Sequence, residues 1–178
     1  MGHGLIVQER LKDGDVYSSE QLRAANIHPE TRLATDYLNH FNEVVMLFDL
    51  LPEMPEIAAD IANWMPKSYV EHFRASNFKA RELAIAAYET VAPDRRVLFE
   101  RTIAALDVAL CEAQDKTRAL ELSQRTEIRW LLDHRIKPLL TQAMALINGT
   151  AVSDLAERNA PQVDDSSAAQ NEIDALFL

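Results

Sequence analysis

The last nine residues of the chain combine three apolar side chains with acids at a spacing that suits binding to another protein. Leu176 and Phe177 follow Ile173 by three and four residues, so the three side chains share one face of a helix. The positive end of the helix macrodipole favours the two acids near the start of that helix. An amphipathic helix of this kind binds by laying its apolar face into a groove of a partner. The predicted contact residues are Gln170, Glu172, Ile173, Asp174, Leu176 and Phe177.

The same segment resembles two families of signalling peptides. Residues 170–177 read Gln-Asn-Glu-Ile-Asp-Ala-Leu-Phe and resemble the N-terminal peptide of the flagellar switch protein FliM, whose pattern is Ser-Gln-x-Glu-Ile-Asp-Ala-Leu-Leu. The stretch from Pro161 to Leu176 is similar to the C-terminal tail of the chemotaxis phosphatase CheZ. Both family peptides bind the phosphorylated receiver domain CheY. The resemblance therefore implies a CheY-like receiver as partner, in chemotaxis or motility signalling. The alternative is a terminal helix that packs on its own domain or on an unrelated partner.

The resemblance to CheZ also implies receiver dephosphorylation, but the catalytic residues of that family are not recognisable here. The family places an acid and an amide beside the aspartyl phosphate, four residues apart on one helix face, and the amide orients the attacking water. The corresponding positions in this chain are Arg118 and Leu122. Gln114 and Gln124 are the remaining candidates for the amide. The sequence leaves open whether the chain is a phosphatase or a non-enzymatic adaptor.

A second class of receiver phosphatase uses Glu-x-x-Asn on a helix, and two pairs in this chain have similar spacing with a shorter acid. They are Asp36 with Asn39, and Asp60 with Asn63. The simpler interpretation of both pairs is solvated helix surface. No metal site and no cofactor are predicted, because no second acid–histidine motif accompanies the one that begins at Asp36.

Composition limits the class of partner and the compartment. The 178 residues carry a net charge of −10 and have a pI of about 4.9, which argues against nucleic acid or an anionic membrane as the main partner. Cys111 is the sole cysteine, so an intrachain disulfide is impossible, as suits a reducing cytoplasm. No apolar run is long enough for a signal peptide or a membrane-spanning helix. The sequence predicts a cytoplasmic protein without membrane insertion.

The elements that position these residues are predicted to be helices. Glycine is absent between residues 15 and 148, and no Asn-Gly or Asp-Gly hairpin signal occurs there. Helix-forming residues dominate, so an all-α helical bundle is predicted. A main helix is predicted from about Glu30 to Leu51, after a short one that Ser18 or Ser19 caps. Further helices are predicted over about 55–64, 66–75 and 79–90. The aromatic residues predicted to lie in the core are Trp64, Phe73, Phe78, Tyr88 and Trp130.

Residues 94–148 contain two apolar stripes, which predict a long helical hairpin. The first stripe repeats at alternating spacings of four and three from Phe99 to Leu120, which is a heptad seam. The pattern blurs over 123–127, and a second stripe begins at Ile128. Two antiparallel helices are the preferred interpretation, and one long helix is the alternative. The seam would suit a homodimer as well as an intramolecular hairpin.

These patterns divide the chain into four regions. Residues 1–29 are predicted to be irregular with one short helix, and residues 30–148 to form the bundle. Gly149 is a natural C-terminal stop for the last helix of the bundle. A disordered acidic linker is predicted over 149–168, because acids exceed bases there. Residues 169–178 form the predicted receiver-binding segment.

Overall fold

The computed structural model describes residues 17–117 and 122–150, and of residues 122–124 it describes the backbone alone. This part of the chain is all-α, as predicted, and contains no β-strand. None of the helices in it is both long and apolar enough to cross a membrane. The predicted linker beyond residue 150 and the predicted receiver-binding segment lie outside the described residues.

Eight α-helices follow one another along the described residues. They are α1 (Ser19–Ala24), α2 (Asn39–Leu50), α3 (Ala58–Asn63), α4 (Tyr69–Ala75), α5 (Arg81–Glu89), α6 (Pro93–Thr117), α7 (Leu122–Leu131) and α8 (Lys137–Ile147). Short 3₁₀ turns, Thr35–Leu38 and Pro55–Ile57, precede α2 and α3, and a π turn, Leu132–Ile136, joins α7 to α8. Ser18 caps α1 as predicted, because its side chain accepts a hydrogen bond from the backbone N–H of Gln21.

The main helix begins at Asn39, so the predicted start near Glu30 is wrong. Arg32 adopts a left-handed conformation with φ of 63°, which a right-handed helix does not accommodate. Ile27 and Ala34 pair in an isolated antiparallel bridge. The backbone before α2 therefore makes its hydrogen bonds across a loop, and the α-helix begins on the C-terminal side of that loop.

The predicted hairpin is confirmed. The guanidinium of Arg95, near the start of α6, donates to the carbonyl of Leu146 at 2.8 Å, and Glu112, near the end of α6, accepts from Arg135 at 2.8 Å. The start of α6 thus contacts the end of the second arm, and the end of α6 contacts an earlier part of that arm. This order of contacts requires the two arms to be antiparallel. A turn at residues 123–127, where the pattern blurs, is wrong, because these residues belong to α7. Residues 118–121 lie outside the described residues.

The heptad seam of α6 is covered within one chain. Its described members are all buried: Phe99, Ile103, Leu106, Leu110, Ala113 and Thr117. They join a continuous core with residues of α2, α4 and α8. Burial of the seam therefore does not require a second copy of the chain. The homodimer stays a prediction.

The second arm of the hairpin contains a π turn with a local cause. Pro138 has no N–H and its ring clashes with the carbonyl four residues earlier, that of His134. The helix widens there, and the N–H of Lys137 donates to the carbonyl of Leu132, five residues back. Just before the turn, Trp130 is 53% exposed and stacks on His134 with ring centroids 5.1 Å apart. The prediction that Trp130 lies in the core is therefore wrong, whereas Trp64, Phe73 and Tyr88 are buried as predicted.

Candidate functional site

A polar groove of about 650 Å³ lies where the loop before α2 meets the end of α8. Its walls combine side chains that form hydrogen bonds with the large apolar side chains of Ile27, Leu33, Met144 and Ile147. The lining residues are Arg23, Asn26, Ile27, His28, Pro29, Glu30, Leu33, Thr35, Asp36, Asn39, Asn42, Met144, Ile147 and Asn148. Four of them are asparagines, so the groove offers amide donors and acceptors to a ligand.

The imidazole of His28 shapes one wall of the groove. Its Nδ1 accepts from the backbone N–H groups of Glu30 and Thr31, each at 3.3 Å. The backbone N–H of His28 donates to Leu33 at 2.8 Å. Asn26 precedes this loop with φ of 54°, a conformation that asparagine tolerates better than most residues. The loop is thus fixed by bonds within itself.

The hydroxyl of Thr31 ties this loop to the hairpin. It donates to the carbonyl of Ile147, the last residue of α8, at 2.7 Å, and it is buried. Gly149 follows with φ of +88° and ends α8 as predicted. A Cβ atom there would lie 3.3 Å from Cε1 of His28, so the chain passes close to the imidazole. Residues far apart in sequence therefore close the groove.

Asp36 and Asn39 lie side by side on the floor of this groove. Asp36 is in the 3₁₀ turn and Asn39 begins α2, so a spacing of three residues brings the two side chains to the same side. The Asn39 Nδ2 donates to the Asp36 Oδ1 at 3.1 Å. The amide carbonyl of Asn39 has no hydrogen-bond donor among the described residues. An acid and an amide in contact, with free acceptor capacity, can hold and orient a water molecule.

His72 lies behind Asp36 on α4. Its Nε2 is 3.7 Å from the Asp36 Oδ2, which is too long for a hydrogen bond, and this nitrogen is buried without a partner among the described residues. Burial lowers the pKa of His72, and the Asp36 carboxylate opposes that shift. The side chain of Asp36 is 32% exposed. It therefore lies between the neutral imidazole of His72 on the inner side and the groove on the outer side.

The other acid–amide pair has no comparable setting. Asp60 and Asn63 are both exposed on the short helix α3, and they line neither described cavity. This agrees with the interpretation of that pair as solvated surface.

The two amides considered from the sequence have different positions. Gln114 is buried, and its Nε2 donates to the carbonyls of Ile61 and Trp64 at 2.7 and 2.9 Å. It joins α6 to the end of α3 and lies away from the groove. The side chain of Gln124 lies outside the described residues, as do the six predicted contact residues of the C-terminal segment.

Sequence reasoning missed His28, Thr31 and His72 as parts of this site. Their bonds reach partners that no local spacing connects to them, since Thr31 and Ile147 are 116 residues apart. No protein-family model, curated protein or solved structure matches the chain.

Proposed function

We propose that this chain binds a CheY-like receiver domain through its C-terminal segment, in chemotaxis or motility signalling. The observation that carries the proposal is the sequence of residues 170–177, which resembles the receiver-binding peptides of FliM and CheZ. Ile173, Leu176 and Phe177 are the apolar anchors, and the acids around them favour a basic partner surface.

Substitution of either late anchor is expected to weaken receiver binding about tenfold, because a few apolar anchors carry most of the energy of such an interface. The full chain, its Leu176→Ala variant and its Phe177→Ala variant would be titrated with CheY-like receivers by isothermal calorimetry. Each receiver would be tested with and without a phosphoryl mimic. Tighter binding to the activated form is expected.

Leu178→Ala provides the matched control for these variants. Leu178 is apolar and directly follows Phe177, but a step of five residues from Ile173 puts it off the shared face. Its affinity should stay close to that of the unmodified chain. Absence of binding to any receiver in either state would refute the proposal. Binding that ignores the phosphoryl mimic would favour the alternative, a non-enzymatic adaptor.

A second candidate function is dephosphorylation of the bound receiver, and the Asp36–Asn39 pair favours it. The pair has the spacing of an acid–amide phosphatase motif, the two side chains are in contact, and they lie on the floor of a polar groove. In this proposal Asn39 orients the attacking water at the aspartyl phosphate, and Asp36 holds the amide in place. The acid is one carbon shorter than the glutamate of the family pattern.

Asn39→Ala is expected to slow receiver dephosphorylation about tenfold, because the water loses its orienting group. The decay of the phosphorylated receiver would be followed with catalytic amounts of the full chain. Asn63→Ala is the matched control, since it removes an exposed amide from an equally spaced pair. If the unmodified chain does not accelerate decay of the phosphorylated receiver, or if both variants behave alike, the groove is not a phosphatase site. The calorimetric test of receiver binding does not depend on this outcome.

A further inference from the structure

A second cavity, of about 370 Å³, shares no lining residue with the polar groove. The loop 66–68, α4, α5 and α6 surround it. Four aromatic rings line it, those of Tyr37, Tyr69, Tyr88 and Phe99. Its volume falls in the range of small-molecule sites, which begins at about 300 Å³.

The tyrosine hydroxyls around this cavity are already engaged. The Tyr37 hydroxyl donates to the carbonyl of Lys67 at 2.7 Å, and the Tyr69 hydroxyl accepts from the backbone N–H of Ala34 at 2.9 Å. The Tyr88 hydroxyl donates to Glu100 at 2.8 Å. The rings therefore offer their π surfaces to a ligand more than their hydroxyls.

One ring of the cluster already holds a cation. The guanidinium of Arg96 lies 4.6 Å from the centroid of the Tyr88 ring, which is within the range of a cation–π interaction. Tyr69 stacks on Tyr88, with centroids 4.4 Å apart and planes at 15°. The Arg96 contact shows that a ring of this aromatic wall can lie beside a positive charge.

Two of the three acids that line the cavity have partners. Glu71 accepts from the backbone N–H and the hydroxyl of Ser68, at 2.9 and 2.7 Å, in the capping box of α4. Glu100 accepts from Tyr88 and from Arg96, at 2.8 and 2.9 Å. Both carboxylates are thus satisfied by groups of the protein itself.

Asp107 is the third acid, and nothing in the described chain balances it. Its Oδ1 is buried without a hydrogen-bond partner among the described residues. Burial raises its pKa to about 6, so the carboxylate is charged at neutral pH. Its charge raises the pKa values of Tyr37 and Cys111, which are themselves weak acids and not bases. A buried carboxylate oxygen without a partner is costly, and a ligand is one reason for a protein to retain it.

Lys67 is the one basic residue in the lining. Its charge lowers the pKa values of His40 and His72, whereas burial is the cause that shifts the pKa of Asp107. No ion pair joins Lys67 to Asp107 within the described residues. A cation that pairs with Asp107 therefore has to come from a bound molecule and not from the side chains that line the cavity.

We propose that this cavity binds a small organic molecule that carries a protonated primary amine. The ammonium donates to the Asp107 carboxylate, and its positive charge rests against the tyrosine rings. A primary ammonium suits the unpartnered oxygen because it supplies N–H donors, which a quaternary ammonium lacks. A divalent metal fits poorly, since it requires several oxygen ligands and Asp107 stands alone as a free one.

Titration of the full-length chain with n-butylammonium chloride, followed by two-dimensional NMR, tests the proposal. Saturable shifts are expected at residues around the cavity, and 1-butanol, which lacks the charge, should produce none at the same concentrations. Asp107→Asn is expected to weaken the binding about tenfold, because the charged acceptor is lost. Glu43→Gln, which removes an exposed acid of α2 outside the cavity, should leave the affinity unchanged.

A second variant keeps the test decisive if Asp107→Asn does not fold. Ala104 lines the cavity on the exposed side of α6, so Ala104→Leu narrows the cavity without removing a core contact. Loss of n-butylammonium binding in this variant supports the proposal. No saturable binding by the unmodified chain, or full affinity in Asp107→Asn, overturns it. Equal binding of tetramethylammonium would also overturn it, because that cation has neither an N–H nor an O–H group to donate to Asp107.

Discussion

Replacement of Gln114 by leucine is expected to lower the free energy of unfolding by about 2 to 3 kcal/mol. The buried amide donates to the carbonyls of Ile61 and Trp64, where the chain leaves α3. Leucine fills similar space but has no donor. The Trp64 carbonyl then loses its hydrogen bond in a buried setting, and the Ile61 carbonyl keeps only the N–H of Trp64.

Urea denaturation followed by circular dichroism at 222 nm measures this loss. Gln142→Leu is the matched control, because this half-buried glutamine of α8 makes no hydrogen bond through its side chain within the described residues. The control should change stability by about 0.5 kcal/mol or less. Equal stability of Gln114→Leu and the unmodified chain would show that the amide does not join α6 to α3.

The Gln114 result bears directly on the phosphatase question. Its N–H groups are both used inside the core, so the residue acts as a structural bridge in this arrangement. If substitution of Gln114 slows receiver dephosphorylation, the same variant should also be less stable than the unmodified chain. Asn39→Ala should lose activity alone, because Asn39 is exposed.

His40 is expected to make the fold sensitive to acid, with a contribution of about 2 to 3 kcal/mol. The residue is only 7% exposed, and its ring stacks on Trp64 with centroids 5.1 Å apart. Burial lowers the pKa of His40 from 6.5 to about 4. The charge on Lys67 lowers it too, while the hydrogen bond to the carbonyl of Met65, at 2.9 Å, opposes the shift.

The sign follows from proton binding. Between pH 6.5 and about 4 the unfolded chain holds a proton on His40 that the folded chain does not. Acid therefore favours the unfolded state, and stability falls as the pH drops through this window. Above pH 6.5 both states are neutral at this residue and its contribution is constant.

Urea denaturation at a series of pH values, on the unmodified chain and on His40→Leu, measures the effect. The variant should lose less stability between pH 6.5 and 4 than the unmodified chain does, whatever its absolute stability at pH 7. His134→Leu is the matched control, since His134 is exposed and should leave the acid slope unchanged. Parallel slopes for His40→Leu and the unmodified chain would contradict the expectation.

Asp107 acts in an overlapping window with the opposite sign. Its pKa is raised from 3.8 to about 6, so the folded chain holds a proton there that the unfolded chain has already lost. Stability from this residue is greatest at low pH and falls as the pH rises toward 6. The two residues partly cancel in the unmodified chain, and for this reason single variants are needed to separate them.

The secondary structure was largely readable because helix formation depends on local spacing. The absence of glycine between residues 15 and 148, together with the prolines that punctuate the chain, predicted the helices from α3 to α6 and a helical second arm of the hairpin. The division of that arm into α7, the π turn and α8 was not predicted. The start of α2 was misplaced because Arg32 looks like an ordinary helix residue in sequence. Its left-handed conformation is imposed by a loop whose bonds are made with residues on both sides.

Trp130 shows a different limit of sequence reasoning. An aromatic residue in an apolar helix is normally buried, and the second stripe includes its neighbours. Ile128, Leu131 and Leu132 are buried, and Trp130 lies two residues after Ile128, which puts it on the other side of the helix. Trp130 is thus on the outer face, where it stacks on His134. Its position relative to the apolar stripe, and not its residue type, decides its exposure.

The sequence by itself determined the all-α class, the hairpin signal and the C-terminal segment on which the proposed receiver binding rests. These are properties of residues close together in the chain, where periodicity and peptide motifs are expressed. Only the tertiary structure decided that Gln114 bridges α6 and α3, that Asp36 and Asn39 meet in a polar groove, and that one carboxylate oxygen of Asp107 is buried without a partner among the described residues. Each of these depends on burial or on contacts between residues distant in sequence, which packing creates and local spacing does not encode.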